Sequence, residues 1–154
     1  MVVFATMTPL TTGVKEPEAA GAIAWLLFNA YLKTGEERYR MGAEWAMEFL
    51  NGRTTNPSYE LQLPYGVYAA RQNERDHRHA IRCRKDVNWC FTIGPLRQWG
   101  AIVGTWGGYD VSGLIGESIS NEYAFVMNGY QQGAHWCRCA VTTIVSPARS
   151  ANGC

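Results

Sequence analysis

Two successive helical periods, joined by one short turn, constrain the fold of this chain more than any other feature. The first period repeats apolar residues with the spacing of one helix face: Ile23, Leu26, Leu27, Ala30 and Tyr31. The second follows directly, with Tyr39, Ala43, Ala46, Met47 and Leu50. Gly35, between them, suits the left-handed residue that ends a helix, so the pair predicts an antiparallel helical hairpin.

The rest of the chain also favours helices. They are predicted from about residue 64, over residues 86–92 and over residues 114–131, where Ile115, Ile119 and Tyr123 share a face. Proline and glycine residues place loops at residues 51–64 and 94–108. The predicted fold class is therefore all-α, built from antiparallel helical hairpins.

Length and charge narrow the class of protein. The chain has 154 residues and a formal charge of +1, which suits one domain and gives no bulk electrostatic reason to expect nucleic acid as a partner. No apolar run approaches the roughly 20 residues of a membrane span. Residues 1–15 lack the pattern of a secretory signal, so a cytoplasmic location is the default expectation.

The cysteines point to reduced thiols rather than to a disulfide framework, because their number, five, is odd and no secretory signal is evident. Four neighbouring residues have the side chains that zinc prefers: His77, His79, Cys83 and Cys90. Their spacing matches no compact structural zinc site. We therefore predict no metal and no cofactor.

One segment resembles a known superfamily. Residues 24–46 combine an aromatic first helix, a Thr-Gly-acidic turn and a tyrosine that opens the second helix. This unit is similar to one hairpin of the six-hairpin glycosidase-like, or α/α-toroid, superfamily. The loops at residues 56–66, 88–91 and 106–113 resemble inter-hairpin loops of that class, so the resemblance extends over residues 19–131.

The resemblance implies part of an α/α toroid, with a carbohydrate cleft at the inner helix ends. The four or five helices predicted here fill only part of such a ring. A partial ring leaves apolar helix faces open, which predicts self-association. The expected function is therefore that of a glycoside hydrolase-like protein acting on a poly- or oligosaccharide, incomplete and inactive alone.

Glycoside hydrolysis typically uses two carboxyl groups across the sugar bond. Glu60 and Asp110 lie in aromatic, glycine-rich loops and form the predicted acid/base pair. The alternative makes Asp110 a helix or turn cap and Glu60 a backbone-binding loop acid. The predicted substrate-binding residues are Tyr59, Tyr65, Asn88, Trp89, Trp106 and Tyr109. Aromatic rings stack on sugars, although the same rings also serve core packing.

Two other functions stay open. In a polysaccharide lyase-like toroid, Asn88, Tyr65, Tyr109 and Tyr123 would act on a uronate, with Arg71 or Arg97 as the cation. In a nucleic-acid or phosphate binder, a basic stripe would meet phosphates: Arg71, Arg75, Arg78, Arg82 and Lys85. The near-neutral net charge argues against the second function.

Residues 133–154 differ in character from the chain before them. They show no helical period, which predicts an irregular tail after a domain of residues 1–132. Codons back-translated in a shifted frame permit a helix-like string here, so an out-of-frame tail and a divergent natural tail both stay open. The same two interpretations apply to residues 77–85. Removal of the tail is expected to cost little stability.

Overall fold

The computed structural model describes residues 2–3, 8–9, 15–77, 84–118 and 123–145, with side chains for residues 15–74, 85–118, 123–135 and 137. The helices are α1 (Ala19–Thr34), α2 (Glu37–Asn51), α3 (Gln62–His77), α4 (Arg84–Trp89) and α5 (Val126–Val145). The strands are β1 (Val2–Val3), β2 (Thr8–Pro9), β3 (Trp99–Ala101), β4 (Thr105–Trp106), β5 (Tyr109–Asp110), β6 (Ile115–Glu117) and β7 (Tyr123–Ala124).

The predicted helical hairpin is confirmed. Gly35 ends α1 in the left-handed conformation, with φ of 71°, and its N–H donates to the carbonyl of Tyr31. Ala24 of α1 packs with Met47 of α2, whereas Phe28 packs with Ala43. Residue numbers therefore rise along one helix as they fall along the other, so α1 and α2 are antiparallel.

The predicted buried face of α1 is wrong in part, although Leu27 and Tyr31 do pack against the core. The helix buries Gly21, Ala24 and Phe28, while Ile23 and Leu26 are 48% and 62% exposed. Apolar residues lie on more than one side of this helix, so periodicity alone did not select the buried side. The small residues Gly21 and Ala24 are buried because a third helix approaches α1 closely there.

That third helix, α3, runs parallel to α1. A Cβ atom built on Gly21 would lie 2.1 Å from the backbone oxygen of Gln62. Further along, Trp25 stacks on Tyr65 with ring centroids 5.3 Å apart, and Phe28 packs with Ala69. Residue numbers rise together along both helices. The amino-terminal ends of α1 and α3 therefore lie side by side, with α1 in contact with both α2 and α3.

The loop before α3 is fixed by one amide side chain. Asn56 donates from Nδ2 to the carbonyl oxygens of Trp89 (3.1 Å) and Thr92 (2.8 Å). Its Oδ1 accepts the backbone N–H of Ser58 at 2.8 Å. Buried amides of this kind are stabilising when all their partners are present. Asn56 thus ties the start of α3 to the segment that follows α4.

The all-α prediction is wrong in part, because the structure also contains strands. The described chain is nonetheless mostly helical. Strands β3, β6 and β7 form an antiparallel sheet in that order, and β4 pairs with β5. Residues 94–108 therefore contain β3 and β4 rather than loop alone. None of the described helices is long and apolar enough to cross a membrane.

The helix predicted over residues 114–131 is wrong for its first half, because β6 and β7 occupy part of that range. Gly116 pairs with Ala124, and a Cβ atom on Gly116 would lie 2.0 Å from the backbone oxygen of Tyr123. The missing side chain thus permits close backbone pairing. Helix α5 begins only at Val126.

The irregular tail predicted from residue 133 is wrong for residues 133–145, which continue α5 across the predicted boundary between residues 132 and 133. A helix that has started propagates readily until it meets a breaker, and the first proline after Val126 is Pro147. His135 packs against the rings of Tyr65 and Tyr68. Residues 146–154 lie outside the described residues, and the out-of-frame hypothesis stays untested.

Candidate functional site

Glu60 and Tyr59 lie at the amino-terminal end of α3. Glu60 is exposed and adopts φ of 48°, a left-handed backbone conformation that is uncommon for residues other than glycine. Ser58, just before Tyr59, is buried, and Tyr59 itself is half-buried. Backbone strain of this kind clusters at binding and catalytic sites when the surroundings hold it in place. The loop directly before it, at residues 56–58, is buried.

Arg97 connects Tyr59 to the start of α1. Its guanidinium lies over the Tyr59 ring, 4.3 Å from the centroid. The same guanidinium contacts Glu18, with Nη2 and Oε1 3.2 Å apart. A second carboxylate, Glu16, lies 3.8 Å from Nη2. Arg97 is thus held between an aromatic face and two carboxyl groups from one helix end.

Trp99 and Glu117 complete the group from the sheet. Trp99 meets Tyr59 edge to face, with ring centroids 5.3 Å apart, and is paired with Glu117 across β3 and β6. We call this set the Tyr59 cluster. Its members are Glu16, Glu18, Tyr59, Glu60, Arg97, Trp99 and Glu117.

The pKa of Tyr59 shows which charges surround its hydroxyl. Burial raises this pKa first, and the neighbouring carboxylates of Glu60, Glu117 and Glu18 raise it further. Arg97 opposes them by favouring the phenolate. Three carboxyl groups, just before α1, in the loop before α3 and on β6, therefore raise the pKa of one hydroxyl.

Glu18 is the most deeply buried member of the cluster, with no exposed surface. Burial raises the pKa of its carboxyl, against the opposing effects of its backbone hydrogen bond and of Arg97. Within the described part of the chain, its Oε2 has no hydrogen-bond partner, nor do the buried Nε1 of Trp99 and Nε of Arg97. Buried polar atoms are usually paired, so three unpaired atoms distinguish this cluster.

Asp110 occupies a different environment from Glu60. It lies exposed on β5, and its Oδ1 accepts the backbone N–H of Ser112 at 2.9 Å. Hydrogen bonds from Ser112 lower the pKa of Asp110. This is the turn-cap arrangement, and a lowered pKa disfavours proton donation. Asp110 is not among the charges that shift the pKa of Tyr59, and its pairing with Glu60 stays a prediction.

Trp106 and Tyr109 share one hairpin with Asp110. They are directly opposite each other across β4 and β5, and Tyr109 is 78% exposed. Exposed aromatic pairs of this kind suit sugar stacking. These two rings remain candidates for saccharide contact, supported on a turn rather than on a helix end.

The other predicted substrate-binding residues mostly serve packing. Tyr65 stacks on Trp25 and contacts His135. Trp89 packs against the core, with the Lys85 ammonium 4.6 Å from its ring centroid. Asn88 is exposed, and its carbonyl accepts the hydroxyl of Thr92. None of the three belongs to the Tyr59 cluster.

Two side chains of the predicted basic stripe form contacts with other residues of the protein. Arg71 pairs with Glu74 at 2.9 Å. Lys85 donates to the carbonyl oxygens of Asn51 and Arg53. The side chain of Arg75, together with residues 78 and 82, lies outside the described part of the chain. Each of these two cations therefore already has a partner within the protein.

No group of three or more His, Cys, Asp or Glu side chains within the described residues could hold a metal ion. Cys90 is buried, and its thiol contacts the carbonyl of Asp86 at 3.2 Å. The side chain of His77, together with residues 79 and 83, lies outside what the structure describes. The absence of a metal therefore stays a prediction.

An apolar groove of about 390 Å³ lies between β6 and α5. Its walls include Phe91, Leu114 and Phe125, and its polar member Gln132 donates to the carbonyl of Cys90. Among the described residues that line the groove, only Tyr130 has a titratable side chain. The charged and unpaired groups are instead gathered in the Tyr59 cluster, which is the better candidate for chemistry.

The sequence predicted only Tyr59 and Glu60 of this cluster as site residues, and indicated Arg97 only as a cation for uronates. It gave no site role to the other four members: Glu16, Glu18, Trp99 and Glu117. The loop setting of Tyr59 and Glu60 was a usable signal. Nothing local to residues 18, 97 or 117 indicates that they meet, because Arg97 and Glu18 are 79 residues apart in the chain.

Comparison with known proteins adds no assignment: no family model, curated protein or solved structure matches this chain.

Proposed function

We propose that this chain is a carbohydrate-binding protein of the glycoside hydrolase type, with the Tyr59 cluster as its saccharide site. We further propose that its helices form part of an α/α toroid. Parallel α1 and α3, with α2 antiparallel on α1, correspond to two inner helices and one outer helix of such a ring. The hairpin resemblance of residues 24–46 supports the same arrangement.

One observation carries the proposal. Gly21 and the backbone of Gln62 are in close contact, so the amino-terminal ends of α1 and α3 coincide. The Tyr59 cluster lies at this shared end. The resemblance implies a carbohydrate cleft at the inner helix ends, and the cluster gathers charged side chains there.

The cluster also contains groups that glycoside hydrolysis requires. Glu60 is exposed and Glu117 is half-buried, and both act on the Tyr59 hydroxyl. Two carboxyl groups can protonate the leaving oxygen and activate water or attack the sugar. In this proposal Glu60 keeps the role inferred from the sequence, and Glu117 takes the place of Asp110.

Glu18 acts through Arg97 rather than on the sugar, because its side chain is fully buried. Its carboxyl fixes the guanidinium over the Tyr59 ring. That contact holds the Tyr59 ring, whose hydroxyl is influenced by Glu60 and Glu117. Glu18 and Arg97 are therefore positioning residues for the site.

The proposal is tested by titrating the full chain with neutral oligosaccharides in a calorimeter, before and after Tyr59→Phe. This change removes the hydroxyl and keeps the ring that Arg97 and Trp99 contact. Affinity is expected to fall about fivefold, the value of one hydrogen bond. The control is Tyr39→Phe, a half-buried tyrosine of α2 outside the Tyr59 cluster, which should leave affinity unchanged.

Equal affinity in Tyr59→Phe and wild type would refute the Tyr59 cluster as the saccharide site. Binding with little or no turnover is expected, since toroid clefts draw on loops from most hairpins of the ring. Rapid release of reducing ends by the monomer would contradict that part of the proposal. Unsaturated product from a uronate polymer, seen by ultraviolet absorbance, would instead support the lyase-like alternative.

A further inference from the structure

An apolar patch covers the exposed side of the α1–α2 hairpin. On α2, Met41, Trp45 and Phe49 follow each other at a spacing of four residues, and all three are exposed. On α1, Ile23 and Leu26 are exposed as well. Residues three or four apart are neighbours on a helix surface, so each helix presents one apolar row. We call these five side chains the hairpin patch.

Leu27 joins the two rows of the hairpin patch. A Cβ atom built on Gly42 would lie 2.9 Å from Cδ1 of Leu27, so α1 and α2 are in contact there. Leu27 is four residues after Ile23, and Trp45 is three residues after Gly42, which makes each pair neighbours on its helix. The rows therefore form one continuous surface. Single exposed apolar side chains need no explanation, whereas a continuous patch marks an interaction surface.

The size of the hairpin patch suits one half of a dimer interface. Its five side chains are between 41% and 63% exposed. This corresponds to about 500 Å² of apolar surface, if a whole side chain of this size covers roughly 150–250 Å². A standard interface buries about 800 Å² per partner, of which roughly 60% is apolar. The hairpin patch therefore supplies the apolar part of such an interface.

The α2 row continues into a charged residue at each end. Glu37 is four residues before Met41, and Arg53 is four residues after Phe49. The Arg53 guanidinium lies over the Phe49 ring, 6.0 Å from its centroid, and no described carboxylate pairs with it. Glu37 pairs with Arg40, yet 61% of its side chain stays exposed. The row thus runs from an acid through three apolar residues to a cation.

Such a row is complementary to itself when two copies meet in antiparallel orientation. With a two-fold axis beside Trp45, residues equally far before and after Trp45 come together. Met41 then meets Phe49 of the second copy, and Glu37 meets Arg53, each contact occurring twice. Rows with a spacing of four residues pack against each other in the commonest class of helix contact, at about −50°. A parallel arrangement in the same register would instead bring like charges together.

We propose that the hairpin patch is the interface of a two-fold dimer, and that its partner is a second copy of this chain. The dimer assigns a surface and a register to the self-association expected from open helix faces. Trp45 lies at its centre, where large aromatic side chains contribute most to binding. The Glu37–Arg53 pairs at the rim fix the orientation of the two copies. The interface uses no side chain of the Tyr59 cluster, so the inference is independent of the proposed function.

Sedimentation equilibrium of the full chain tests the dimer at concentrations between about 1 and 200 μM, which cover a micromolar Kd. The wild-type chain should dimerise, and Trp45→Glu should raise the Kd at least about 30-fold, because it removes the central ring and places two carboxylates at the axis. The matched control is Val103→Glu, which alters an 89% exposed residue outside the patch and should leave the Kd unchanged. Circular dichroism checks that each variant is folded.

Exchange of the end charges tests the register. Glu37→Arg and Arg53→Glu should each raise the Kd about threefold to tenfold, because each variant loses two exposed ion pairs. The double variant, which restores both pairs with the charges exchanged, should return towards the wild-type Kd. Failure of this rescue in folded variants would overturn the proposed pairing.

Two other results would overturn the inference as a whole. One is a monomer at every concentration, and the other is a dimer that Trp45→Glu leaves intact. If the chain stays monomeric and binds vesicles of neutral phosphatidylcholine, with binding lost in Trp45→Glu, the hairpin patch meets lipid rather than a second copy. The saccharide titration of Tyr59→Phe is unaffected by any of these outcomes, so the proposed function is judged separately.

Discussion

Asparagine in place of Asp86 should stabilise this protein at neutral and alkaline pH. Asp86 lies on α4 with no exposed surface, and among the residues that the structure describes neither carboxylate oxygen has a hydrogen-bond partner. Its neighbour Lys85 directs its ammonium to backbone carbonyls instead. Burial therefore raises the pKa of Asp86 from 3.8 to about 6, and Lys85 offsets only part of the rise.

The direction of this pKa shift determines how the stability of the protein changes with pH. The folded state prefers the protonated carboxyl, so stability is highest below about pH 4 and falls as pH rises towards about 6. A pKa difference of this size corresponds to about 3 kcal/mol lost at pH 8. The Asp86→Asn substitution removes this loss but buries an amide that needs partners, which costs about 1–2 kcal/mol. The net gain expected at pH 8 is about 1–2 kcal/mol.

Urea denaturation of both proteins at several pH values between about 4 and 8 measures the difference directly. The free energy of unfolding of Asp86→Asn, relative to wild type, should rise across this range. The control is Asp110→Asn, where hydrogen bonds from Ser112 lower the pKa and the relative stability should fall slightly instead. A variant that loses stability relative to wild type as pH rises would show that the folded protein stabilises the ionised form of Asp86.

The contact between α1 and α3 and the end of α5 give two further predictions. Gly66→Ala should destabilise the protein by about 1–3 kcal/mol, because the new Cβ would lie 2.7 Å from the Cα of Gly21. Gly129→Ala in α5 meets nothing within 4 Å and should be neutral or stabilising in the same thermal melt; equal losses would refute the close-contact argument. Truncation after Gln132 should cost more than about 1 kcal/mol, because it shortens α5 and removes His135 from its tyrosine contacts, and an unchanged melting temperature would contradict this.

The sequence by itself determined the helical hairpin. Its signals are local: helical periodicity over residues 23–50 and Gly35 at the turn, which takes the left-handed conformation. Such features act within a few residues of each other, so they can be read without knowing the fold. The loop setting of Tyr59 and Glu60 was also visible, because aromatic, proline-rich and glycine-rich segments commonly carry sites.

Strand pairing in the tertiary structure determined the secondary structure of residues 114–131. Ile115, Ile119 and Tyr123 fit a helical spacing, yet Gly116 pairs with Ala124 in a sheet. Strand pairing depends on a partner elsewhere in the chain, and β3 supplies it for β6. Local periodicity cannot report that partner, and the same limit explains why the buried face of α1 was wrongly chosen.

Only the tertiary structure assembled the Tyr59 cluster. Glu18 and Arg97 approach to 3.2 Å although 79 residues separate them. Burial, which raises the pKa of Glu18, exists only once α1, α3 and the sheet have packed together. The sequence supplied the carboxylates and aromatic rings one by one. Their shared electrostatic field is a property of distance and burial, which folding alone sets.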